Sequence, residues 1–211
     1  MPSWSRLRTL IQGFGLRWQA RGIHCMEDRY LDTHAFHFFR AGVACRLRHD
    51  NHRSELCLKA LRPAVRGVAD RMEVTEKLAH WPARAPVCFP GRRIKAMAVA
   101  CGFPVAMREL VRLRQVRRTA VVRGADDFAV LISLDIAKVA GTSHVLREIE
   151  FELRGGSVAR LRHLARGVGL ACGLHTAPGS KFTQALAAAG VRVPAAGRGS
   201  GARLFFGAAR Q

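Results

Sequence analysis

Charged side chains recur at every second position along parts of this chain. Arg46 and Arg48 do so, Lys59 follows on the next alternating stretch, and Glu148, Glu150 and Glu152 do so later with the opposite sign. In extended backbone that spacing puts each set on one face. On an open sheet an ionic face is simply the one turned to water. The segregation of sign asks for more, because carboxylates two apart on one strand repel by about 1 kcal/mol per close pair in water and by more in a confined site. Divalent cations bound by carboxylate oxygens would relieve that repulsion, while Arg and Lys held the oxygens of a phosphate chain bridged by the same metal.

Strands and turns must carry these residues. Val43, Cys45 and Leu47 alternate with Ala44, Arg46 and Arg48, and Leu56 and Leu58 alternate with Glu55, Cys57 and Lys59. Two strands over 42–48 and 55–61, joined by the polar turn His49-Asp50-Asn51-His52, are therefore predicted. Another strand precedes them at 28–33, and one follows the 63–67 connection, with Arg71, Glu73 and Thr75 opposite Met72 and Val74. Further strands are expected at 116–122, 129–135 and 148–153, the last ended by a Gly155-Gly156 turn.

Helices are expected over 4–20, from the spacing of Leu7, Leu10, Ile11 and Phe14, and over 94–113 despite Gly102 and Pro104. A third begins after Ser157 as N-cap and runs to about Gly169 on the stripe of Val158, Leu161, Leu164, Ala165 and Val168. The proline-rich stretch 80–93 reads as a loop. Residues 1–189 suit one domain, and 190–211, rich in Gly, Ala, Pro and Arg, reads as a loosely ordered extension.

The balance of 35 Lys and Arg against 15 Asp and Glu, a formal charge of +20, points to an anionic partner. Phosphate-rich small molecules, nucleic acid and anionic membranes share that sign. Nucleic acid is disfavoured because aromatic platforms are lacking: Tyr30 is the only tyrosine, and the phenylalanines lie outside the basic strand motifs. The six cysteines form no C-x-x-C pair, against a zinc ribbon or redox motif and in favour of reduced, mostly buried thiols. The first 20 residues lack a secretory h-region, and no run approaches the roughly 20 apolar residues of a membrane span. A cytoplasmic location is the expectation.

In order along the chain stand Asp28-Arg29-Tyr30-Leu31-Asp32-Thr33, then the run from Phe39 through Gly42-Val43-Ala44-Cys45 to Arg46-Leu47-Arg48, and Leu56-Cys57-Leu58-Lys59. Arg71-Met72-Glu73-Val74, Arg117-Arg118-Thr119, Leu134-Asp135, the run Glu148 to Leu153 and Ser180-Lys181 follow. This series resembles the CYTH family, which includes inorganic triphosphatases, thiamine triphosphatases and class IV adenylate cyclases. The resemblance implies an α+β fold: an antiparallel β-barrel, the triphosphate tunnel, with flanking helices. It implies that Arg46, Arg48, Lys59, Arg118 and Lys181 bind a triphosphate or polyphosphate, with Lys59 and Arg118 catalytic. It also implies that Glu148 and Glu150, with Glu152, Glu73 and Asp135 as second candidates, hold Mg²⁺ or Mn²⁺. The reaction implied is hydrolysis of a phosphoanhydride, in which charge neutralisation and metal polarisation assist an attacking water.

The chain departs from the family at three places. Nothing matches the E-x-E-x-K strand with which the family begins, so the barrel is expected to be incomplete there, with unpaired edges. Thr75 stands where a second carboxylate is common, and Gln184, Ala185 and Leu186 follow Lys181 in place of a basic residue, Gly and Tyr. The alternative reading is therefore a catalytically impaired polyphosphate- or nucleotide-binding module, and cyclase chemistry on ATP stays open beside hydrolysis.

Overall fold

The computed structural model describes residues 1–51, 53–61, 72–82, 84 and 88–194. Its strands are β1 (Arg17–Asp32), β2 (Val43–Asp50), β3 (Arg53–Ala60), β4 (Glu73–Leu78), β5 (Arg108–Arg123), β6 (Ala129–Val139) and β7 (Val145–Gly155). Its helices are α1 (Trp4–Gly13), α2 (His37–Arg40), α3 (Arg92–Ala100), α4 (Val158–Cys172) and α5 (Lys181–Ala188). This is the expected α+β antiparallel architecture, with sheet order β4-β3-β2-β1-β5-β6-β7. The order ends at β4 and β7 with no ladder closing it among the described residues, as expected of an incomplete barrel.

The chain divides into two compact units. The unit made of 26–114, 138–144 and 179–211 is built on the alternation of β2 and β3. Their register sets Leu47 opposite Leu56 and Cys45 opposite Leu58, so the apolar residues of both strands enter one core with Leu31, Phe38, Val74 and Ile94. Arg46, Arg48, Cys57 and Lys59 are left on the other face. Complete burial of a leucine such as Leu47 or Leu58 contributes about 1.5–3 kcal/mol.

Helix α3 is anchored to this core by an unusual cap. Its N-cap, Gly91, has no side chain to offer, and Glu76 of β4 supplies the acceptors instead: Arg93 N donates to Oε1 at 3.1 Å and Ile94 N to Oε2 at 2.9 Å. A Cβ at Gly91 would lie 2.5 Å from that Oε2, so any larger residue here would push Glu76 from its capping position.

The unit made of 1–25, 115–137 and 145–178 has its own core, in which Leu7 and Ile11 of α1 and Leu161, Leu164 and Val168 of α4 meet Val122, Phe128, Val130 and Ile132. Ile149, Phe151 and Leu153 pack against it, which turns Glu148, Glu150 and Glu152 to the opposite face of β7. Ser157 caps α4 as anticipated, accepting from Arg160 N at 3.2 Å.

Several boundaries differ from the expectations. The first helix stops at Gly13: Gly15 takes φ +73°, and β1 begins at Arg17. The 94–113 helix is divided, because α3 ends at Ala100, Gly102 takes φ +73°, and β5 starts at Arg108. Periodicity had no signal for α5, whose start is marked by the Ser180 cap on Thr183 N. The thiols are less uniformly buried than expected, since Cys25 and Cys88 are exposed. The 63–67 connection, His52, Arg71, Pro86 and most of the 190–211 extension lie outside the described residues.

Candidate functional site

In the unit built on β2 and β3, the ionic face is assembled by register. Tyr30 of β1 stands opposite Arg46 and Asp28 opposite Arg48, while on the other side Cys57 faces Arg46 and Glu55 faces Arg48. Lys59 is opposite Glu73 of β4. Cross-strand partners share a face, so four strands deliver these side chains to one surface.

Asp28 is fully buried and grips Arg48 with both oxygens, Arg48 Nε donating to Oδ1 at 2.6 Å and Nη2 to Oδ2 at 2.7 Å. Burial alone would raise the Asp28 carboxyl, but the charges of Arg48 and Arg46 and the Arg48 hydrogen bonds outweigh it and hold it below its ordinary value, with Lys181 assisting. Arg46 is placed differently. Its nearest carboxylate is Glu55, with Nη2–Oε1 at 3.7 Å, and its buried Nε has no hydrogen-bond partner in the structure. Burial works against its charge, yet Asp28 and its other neighbours raise its pKa, so it stays cationic.

Glu73 accepts from the Cys57 thiol at 3.0 Å and pairs with Lys59 Nζ at 3.2 Å. Partial burial would raise its pKa, but the Cys57 hydrogen bond and the charges of Lys59 and Arg46 outweigh it and lower it. Burial pushes the Cys57 thiol up to about 12, so it stays protonated and is no nucleophile at neutral pH. Lys181 is the first residue of α5, and the next residue, Phe182, stacks on Tyr30 at 4.6 Å between centroids. The structure therefore places Arg46, Arg48, Lys59 and Lys181, four of the five expected phosphate-binding residues, in one unit, together with Glu73, one of the expected metal carboxylates.

The remaining expected residues belong to the other unit. Asp135, buried on β6, and Glu150, exposed on β7, both accept from Arg117 of β5: Nε–Oδ1 is 2.7 Å and Nη2–Oδ2 2.6 Å on Asp135, and Nη2–Oε2 is 2.7 Å on Glu150. Glu152 pairs with Arg154 at 3.1 Å. Arg118, the arginine expected to act, has the strand parity of Ala120 and Val122 and is exposed, so it leaves β5 from the face opposite Arg117. Of the two neighbouring arginines, Arg117 is the one joined to the carboxylates.

A family model, the CYTH domain, matches residues 7–185, which covers most of the chain and all of the residues above. The chain belongs to the CYTH family. Its fold is similar to that of a putative adenylyl cyclase from Hippeastrum, described as having a dominant triphosphatase activity, at 19% identity and TM-score 0.57, covering 92% of this chain and 94% of that one. It is also similar to a putative adenylate cyclase from Bacillus halodurans at 16% identity and TM-score 0.52, covering 87% and 92%. No curated protein matches the chain. Among the described residues no helix is long and apolar enough to cross a membrane.

CYTH triphosphate tunnel enzymes generally use divalent metal ions. The carboxylates of this CYTH chain do not form a ready site for one. Among the described residues no three His, Cys, Asp or Glu side chains converge. Asp135 and Glu150 are engaged by Arg117, Glu73 by Lys59 and Cys57, and Glu152 by Arg154. Two residues of the ionic surfaces escaped the sequence analysis as site residues, Asp28 and Arg117. The signal for Asp28 is a cross-strand register 20 residues long, which period alone does not contain. For Arg117 it is parity with Thr119, one of the buried polar residues of the strand.

Proposed function

We propose that this CYTH chain grips a small triphosphate on the surface carrying Arg46, Arg48, Lys59 and Lys181 and hydrolyses one of its phosphoanhydride bonds. The observation that carries this reading is Arg46, whose buried Nε has no acceptor while its charge is maintained. A buried donor left unsatisfied costs about 1–3 kcal/mol, and a phosphate oxygen would satisfy it with a charge-assisted hydrogen bond. Lys59, held by Glu73, and Arg48, held by Asp28, add fixed positive charge beside it. Lys181 arrives with α5.

In this reading catalysis is electrostatic: preset cations spread the charge that develops as the terminal phosphoryl group leaves, and water attacks. Lys59, on that surface and paired with Glu73, is the residue we assign to that role. Hydrolysis draws support from likeness in fold to the Hippeastrum protein. No step is routed through a metal ion, since the carboxylates are otherwise engaged. A cytoplasmic setting accords with the free thiols among the described residues.

The second reading, binding without turnover, is favoured by one observation, the commitment of Asp135 and Glu150 to Arg117. Calorimetry with inorganic triphosphate, paired with a phosphate-release assay in the presence and absence of Mg²⁺ and Mn²⁺, separates the two. Binding with release is expected. Binding without release selects the second reading, and no binding rejects both. The same assay with ATP, read for cyclic nucleotide, tests the cyclase alternative.

A further inference from the structure

The carboxylates in which the family resemblance places a metal ion already hold a cation. Asp135 presents both oxygens to one edge of the Arg117 guanidinium, at 2.7 and 2.6 Å, and Nη2 of the same group reaches Glu150 Oε2 at 2.7 Å. The planar fork of arginine matches a carboxylate in this geometry, and the charge is permanent. Asp135 is 1% exposed in its side chain and Arg117 19%, so the pair lies largely out of water, where an uncompensated carboxylate would be costly. A divalent ion needs carboxylate oxygens at 2.0–2.6 Å converging on one point. Three such oxygens converge here on N–H groups.

We propose that Arg117 is the resident cation of the Asp135–Glu150 pair, occupying in the free protein the position a divalent ion would need, so that the chain without substrate binds no such ion there. Arg117 is thus a positioning residue that holds Glu150 on the buried Asp135. The proposal stands apart from the triphosphate reading, because the metal is titrated with no triphosphate present.

The test is titration with Mn²⁺, followed by electron paramagnetic resonance, on the wild type, Arg117→Met, Asp135→Asn and the double variant Arg117→Met/Asp135→Asn. Wild type should bind Mn²⁺ at least about tenfold more weakly than Arg117→Met, and the added Asp135→Asn should abolish the gain. Arg166→Met, which removes one exposed positive charge from α4, should leave the affinity at the wild-type value. Wild-type Mn²⁺ binding as tight as that of Arg117→Met, and lost on Asp135→Asn, would overturn the proposal. Should Arg117→Met not fold, the wild type itself decides by NMR: the Arg117 guanidinium signals should escape paramagnetic broadening by Mn²⁺, and their selective broadening would overturn it.

Discussion

Asp28 and Arg48, opposite each other on β1 and β2, form a two-pronged ion pair at 2.6 and 2.7 Å in which the carboxylate is wholly buried. Removing one member of such a pair strands the other charge, so Asp28→Asn should cost about 3 kcal/mol at pH 7, measured by urea unfolding. The sign of the pH effect follows from the depressed Asp28 carboxyl. A carboxyl lowered by folding contributes stability above its unfolded value of about 3.9 and loses it as pH falls through the lower folded value. Wild-type stability should therefore fall below about pH 4 more steeply than that of Asp28→Asn. Parallel curves would contradict the assignment.

Arg46 and Arg48 should respond differently to substitution although they share a strand face. Arg46 has an unsatisfied buried donor, whereas Arg48 spends two donors on Asp28. Arg46→Lys keeps the charge but loses the fork, and should weaken triphosphate binding by about tenfold in calorimetry. Its thermal stability should change little or rise, because a buried orphan is removed. A variant with unchanged affinity would remove Arg46 from the site.

Tyr30 is the chain's only tyrosine, so ultraviolet titration reads it alone. Burial first, and then the nearby Asp28 charge, push its hydroxyl up to about 12. The phenolate absorbance should therefore rise about two pH units above an ordinary tyrosine, and earlier in Asp28→Asn. Ionisation near pH 10 in the folded protein would show that the Tyr30–Phe182 stack is open.

The borrowed cap on α3 makes a double-mutant prediction. Gly91→Ala places a methyl 2.5 Å from Glu76 Oε2, and Glu76→Ala removes both acceptors, so each should cost about 1 kcal/mol in thermal unfolding. In the Glu76→Ala background the additional cost of Gly91→Ala should shrink, leaving the residual contact with Leu56. Full additivity would refute the shared cause.

The fold was largely legible because β2, β3 and β7 obey strict alternation: Val43, Cys45 and Leu47 are buried and Arg46 and Arg48 face away. Mixed signals were misread. Between Ile94 and Leu113 the apolar residues fit a helix as well as a strand, and Gly102 and Pro104 alone mark the break. The candidate grip was legible at Arg46, Arg48 and Lys59 because each follows from period two on its own strand. The partners that hold them, Asp28 for Arg48 and Glu73 for Lys59, depend on register between strands, which local periodicity does not encode. Arg117 and Arg118 differ only in parity, and a pair of adjacent arginines does not say which one faces inward.

The ladder between β2 and β3 behaves like a reading frame. Its odd and even positions spell two separate messages, one apolar and one ionic, interleaved along the same sixteen residues. Point changes edit one message and spare the other, so binding and stability can drift independently in evolution. A single-residue insertion within β2 would exchange the two, setting arginines against the core and leucines on the anion-binding surface. Homologous chains should accordingly vary freely by substitution along these strands, with length changes confined to the turn at Asn51.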